Sequence, residues 1–184
     1  MDKIYKKAFT LIELLAIVVV ISILTVIFFV DYGKDSKVFA LERASRKVSQ
    51  DLRRAQEMAA SGLVGEAGTN GYGVYFEKTV DYLKYIIYTN KNVNKYYEPA
   101  SDSLKEDIGI EAGIKICDIK YGPLGNMSSV SNASVSFQPP DPINYIQNNY
   151  TGYEASITLC VITNTNQKRT ININNTGRIE ITNP

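Results

Sequence analysis

One carboxylate stands alone in an apolar field. Between Phe9 and Val30 the only charged residue is Glu13. A charge inside such a run costs about 2.5–3.5 kcal/mol on membrane-insertion scales, so a residue of this kind is expected to have a task. Two cysteines, Cys117 and Cys160, each fall in an apolar, strand-like segment. They can form one bridge outside a reducing compartment, or remain two buried thiols that pack as small apolar side chains. Lys168, Arg169 and Arg178 gather near the C-terminus with Glu180 among them. That is a thin set for phosphate, and a solvated hairpin end accounts for it better. Asp102, Glu106, Asp107 and Glu111 form an acidic run, but without the spacing and glycine of a calcium loop. No metal site is expected.

Composition narrows the chemistry. The chain has 184 residues, a formal net charge of +1 and no histidine. That removes His-based metal sites and leaves every serine without the usual activating base. The near-zero charge gives no global field for nucleic acid. Gly71 and Gly73 have no third glycine at phosphate-loop spacing. Neither an enzyme nor a cofactor is expected.

These residues must be positioned by three kinds of element. Residues 9–30 are long and apolar enough to read as a membrane-spanning helix. Lys3, Lys6 and Lys7 precede the run, whereas the charges after it roughly cancel. The positive-inside rule therefore predicts a single pass in the cytoplasmic membrane, with the N-terminus inside and the remainder outside. The small residue Ala8 lies before the apolar run, where a secretory signal would carry its small residues after it. Next, Val38, Leu41, Ser45, Val48, Leu52, Ala55 and Ala59 recur at steps of three and four, and Phe39, Ala44 and Met58 widen the stripe. This predicts an amphipathic helix continuous with the first, about 75 Å in all. Glycines at 62, 65, 68 and 71 end it. Beyond them, residues 72–76, 83–89, 114–119, 133–137, 155–163, 169–173 and 178–182 read as strands. Residues 164–167 and 174–177 read as hairpin connections, and 90–113 and 138–152 as surface loops, the second containing Pro139, Pro140 and Pro142.

Lys6-Lys7-Ala8-Phe9-Thr10-Leu11-Ile12-Glu13-Leu14-Leu15 and the apolar run after it resemble the processing site of type IV pilins and type II secretion pseudopilins. Residues 49–56 and 170–179 are similar to the helix and last hairpin of H-type minor pseudopilins and related minor pilins. The resemblance implies an α+β fold: a long N-terminal helix, membrane half plus amphipathic half, packed on a small antiparallel β-sheet or β-sandwich domain. It implies a cleaved leader at 1–8, a transmembrane and filament-core helix at 9–30, an amphipathic helix at 31–61 and a β-rich domain at 62–184. Lys6 and Lys7 would hold the leader, a prepilin peptidase would cut between Ala8 and Phe9, and Phe9 would be N-methylated. Glu13 would pair with a mature N-terminus, and Leu11, Leu14, Leu15, Ile17 and Val18 would form the filament core. Implied partners are that peptidase and methylase, other subunits, an inner-membrane assembly platform, and membrane lipid before assembly. An alternative is a DNA-uptake minor pilin using Lys168, Arg169 and Arg178, and a third choice is a membrane-anchored hydrolase.

Overall fold

The structure, a computed structural model, describes residues 10–61, 68–78, 83–91, 94–138, 143–147 and 152–183, apart from the side chains of residues 28–35 and 143. One helix, α1 (Leu11–Ala60), precedes ten strands: β1 (Gly71–Glu77), β2 (Lys84–Asn90), β3 (Ser103–Gly109), β4 (Ile114–Pro123), β5 (Ser128–Ser129), β6 (Asn132–Gln138), β7 (Ile143–Ile146), β8 (Tyr153–Val161), β9 (Asn164–Ile173) and β10 (Ile179–Thr182). The strands form two five-stranded sheets, ordered β3-β2-β1-β6-β7 and β10-β9-β8-β4-β5. The pairings are antiparallel.

The chain divides into two units, Met1–Lys37 and Val38–Pro184. The division falls inside α1, so helical residues 11–37 and 38–60 count with different units, each short to moderate in length. Among the described residues no helix is long and apolar enough to cross a membrane. This corrects the expected architecture, in which the long N-terminal helix had a membrane half. It also corrects the expected transmembrane segment and the single-pass location in the cytoplasmic membrane. The fold is α+β with two sheets.

In the second unit the helical stripe meets both sheets. Leu41, Ala44, Ser45, Val48, Leu52, Ala55 and Ala59 are buried, and their apolar members share one core cluster with Val74, Phe76 and Val135 of the first sheet and Ile116, Ile157 and Ile171 of the second. Phe39 does not join them. It is 62% exposed, because it lies off the stripe on the side of Arg46 and Gln50, which are also exposed.

Two strands lie where loops were expected. β3 falls within residues 90–113 and β7 within 138–152. β3 is an edge strand carrying Lys105, Glu106 and Asp107, with Ile108 its one buried residue, the charged composition that protects an edge. The connection expected at residues 164–167 is instead part of β9, and the turn lies at Ile162 and Thr163.

Candidate functional site

The site begins with the helical start. Thr10 caps α1: its hydroxyl accepts from the Glu13 amide at 3.3 Å, and its carbonyl accepts from the Glu13 and Leu14 amides. Thr10-Leu11-Ile12-Glu13 has the spacing of a capping box, in which a Thr starts a helix and a carboxylate three residues on suits the positive helix end. The sequence reading took Glu13 as a lone charge and missed Thr10, although Thr-x-x-Glu was the signal for it.

From this cap onward the helix is aliphatic on every side. Leu11 is 83% exposed, Leu14 61%, Leu15 57%, Ile17 46% and Val18 54%, and exposure continues through Ile27. Its two hydroxyls turn inward to the backbone, Ser22 donating to the Val18 carbonyl at 2.8 Å and Thr25 to the Ile21 carbonyl at 2.7 Å. Their donors can be buried without losing a partner. An all-round apolar helix is a surface made for cover. Glu13, exposed near its start, is the group such a cover must satisfy. Lys6, Lys7, Ala8 and Phe9 lie outside the described residues, as do Pro139, Pro140 and Pro142.

The other candidates fall in the second unit. Cys117 and Cys160 are joined as a disulfide with Cα atoms 5.8 Å apart. Cys117 is the extra residue of a bulge in β4 opposite β8. The three C-terminal cations do not make one patch. Arg169 donates to Glu42 at 3.2 Å, and Arg178 is paired with Glu180. Lys168 lies along β9, roughly 20 Å from the turn that holds Arg178 at 3.3 Å per residue. The acidic run is likewise dispersed. Glu106 binds Arg54 in two contacts of 2.6 and 2.9 Å, Asp107 binds Lys84 at 2.8 Å, and Glu111 pairs with Arg43. Asp102 is buried and accepts from the Lys91 and Glu98 amides. Among the described residues no cluster of His, Cys, Asp or Glu could hold a metal ion.

These pairs clamp helical residues 38–60 between the sheets. On one flank Arg54 reaches Glu106 of β3 and Asp51 accepts from the Tyr85 hydroxyl of β2. On the other, Glu42 holds Arg169 of β9, and Arg53 reaches the Ile179 carbonyl of β10 at 3.4 Å. Hydrogen bonds from Arg46 and then Arg169 hold the Glu42 carboxyl below its usual value. Arg54 does the same for Glu106. Burial pushes the Tyr85 hydroxyl well up, with Asp51 adding to the effect.

No family model, curated protein or solved structure matches the chain.

Proposed function

We propose that the chain is a structural subunit of a filament of the type IV pilin or type II secretion pseudopilin kind, joined to its neighbours through the helical surface of residues 11–27. The observation that carries this is that surface: aliphatic on all sides, exposed, internally satisfied at Ser22 and Thr25, and marked by one carboxylate. Burying one Leu or Ile of this kind yields about 1.5–3 kcal/mol, so packing against equivalent helices gives a strong drive to assemble. The resemblance of residues 6–30 to prepilins supplies the rest. A prepilin peptidase cuts between Ala8 and Phe9 and methylates Phe9, and the new cationic N-terminus pairs with Glu13 of a neighbour. A subunit out of register would leave both charges buried and unpaired, a loss of roughly 3–5 kcal/mol. Its partners are then the peptidase, other subunits and an assembly platform, and its work is mechanical.

The test is mass spectrometry of the N-terminus of the protein from its own cells, with filament incorporation of Glu13→Ala measured beside wild type. The reading expects a chain beginning at methylated Phe9 and a Glu13→Ala chain that is processed but left out of filaments. An uncut Met1, or normal incorporation of the variant, would sink it. DNA uptake is less well supported, since Arg169 and Arg178 are already neutralised by carboxylates.

A further inference from the structure

The Cys117–Cys160 bridge is set among lysines. Lys115 of β4 and Lys168 of β9 stand directly opposite Cys160 of β8, one on each side. Residues opposed in this way share a sheet face, with Cβ atoms about 4.5–5.5 Å apart. The disulfide brings Cys117 to the same place. Asp118, next along β4, is shared by Lys78 at 3.7 Å and Lys120 at 3.6 Å, and it accepts from the Ser129 hydroxyl. Around the bridge these groups carry a clear surplus of positive charge.

The two sulfurs are not equivalent. Cys160 is fully buried. Cys117, the extra residue of the bulge between Ile116 and Asp118, is half-buried. A nucleophile therefore meets Cys117 first. The sulfur it would displace is that of Cys160, flanked by Lys115 and Lys168. Cations beside a sulfur favour its thiolate, and a stabilised thiolate leaves faster in exchange.

We propose that this bridge is a thiol–disulfide exchange site, opened in the folded protein by small anionic thiols of the glutathione kind. The incoming thiolate bonds to the Cys117 sulfur as the Cys117–Cys160 bond breaks. The electron pair of that bond goes to Cys160, which leaves as a thiolate beside Lys115 and Lys168. A second thiolate attacks the small thiol's sulfur in the mixed disulfide and releases Cys117. The small thiol is oxidised to its own disulfide, and the two cysteines, reduced, take up the two protons that it gave. The lysines act twice, drawing in the carboxylates of the reductant and holding the leaving sulfur. This site is independent of the filament reading, which rests on residues 11–27. A bridge with no such role would open only when the sheet around it unfolds.

The test follows reduction of the full-length protein well below its melting temperature, read by alkylation of the freed thiols and mass spectrometry. Three reductants are compared per thiolate: anionic glutathione, neutral 2-mercaptoethanol and cationic cysteamine. The rate is expected to rise in proportion to thiol concentration and to fall in that order. Exposed charge pairs are worth only a few-fold, so Lys115→Gln and Lys168→Gln should each slow glutathione by about threefold, and 2-mercaptoethanol by less. Salt at about 1 M should remove most of the preference. Early quenching should trap glutathione on Cys117 and the alkyl label on Cys160. A destabilised fold cannot mimic the slowing, because easier unfolding would speed reduction. A rate independent of thiol concentration, equal rates for the three thiols, or an adduct on Cys160 would overturn the proposal.

Discussion

The Glu13 amide donates to the Thr10 hydroxyl at 3.3 Å, so the one charge of the apolar helix sits three residues inside its cap. In the filament reading two tasks meet at this turn, helix capping and subunit pairing, and separate substitutions part them. Thr10→Ala removes the cap and is expected to cost about 1 kcal/mol of helix stability, seen as faster amide exchange at Glu13 and Leu14 with assembly retained. Glu13→Ala is expected to leave exchange at that turn nearly unchanged and to block incorporation. A Thr10→Ala chain that fails to assemble as completely as Glu13→Ala would show that the carboxylate matters only through the helix end.

Gly73 is required by Tyr88. A Cβ at position 73 would lie 2.5 Å from the Tyr88 ring, and that ring is buried, with Tyr97 4.9 Å away between it and Tyr75. Gly73→Ala is expected to destabilise the second unit by about 1–3 kcal/mol through overpacking, measured by urea unfolding. Gly109→Ala, in open space, is the control and should differ from wild type by less than about 0.5 kcal/mol.

Acid should loosen the helical clamps. Glu42 and Glu106 both have carboxyls held below the usual value of 4.5. Groups depressed in the fold stabilise it fully above their unfolded pKa and lose that contribution as pH falls through the folded one. The melting temperature is therefore expected to drop below about pH 4.5, and less steeply in the double variant Glu42→Gln, Glu106→Gln. Salt at about 1 M should narrow the difference, because both pairs are solvent-facing. An unchanged pH profile in the double variant would remove these pairs from the account.

Reduction is the strongest single perturbation expected of the second unit. Cys117 and Cys160 are 43 residues apart, for which the chain-entropy relation gives about 4 kcal/mol. Cys160→Ser, or reductant, should lower the melting temperature by roughly 10 °C for a unit of this size. A shift under about 2 °C would mean that the bridge constrains little that the sheet does not already hold.

Much of the frame was legible in the residues. Leu41, Val48, Leu52 and Ala55 announced their buried face because a helical period repeats it. Phe39 did not, since its apolar side chain matched the stripe in type but lies off it in angle. β1, β2, β6 and β8 were visible as Ile-, Val- and Tyr-rich runs, whereas β3 hid behind Lys105, Glu106 and Asp107, which guard an edge and erase the alternation. The apolar run suggested a membrane span, yet among the described residues no helix is long and apolar enough to cross a membrane. Glu13 stood out by contrast with its neighbours. The links between Arg43 and Glu111, or between Arg169 and Glu42, could not, because they join residues 68 and 127 positions apart and depend on how the sheets close around the helix.

Those links have a mechanical consequence. Arg54 and Asp51 fasten residues 38–60 to one sheet, while Glu42 and Arg53 fasten them to the other. Tension along that stretch of helix is thus shared by two sheets, and the bonds that carry it are strained together in shear rather than opened one after another. A helix tied in this way on both flanks is expected to come away from the two sheets together rather than from one at a time.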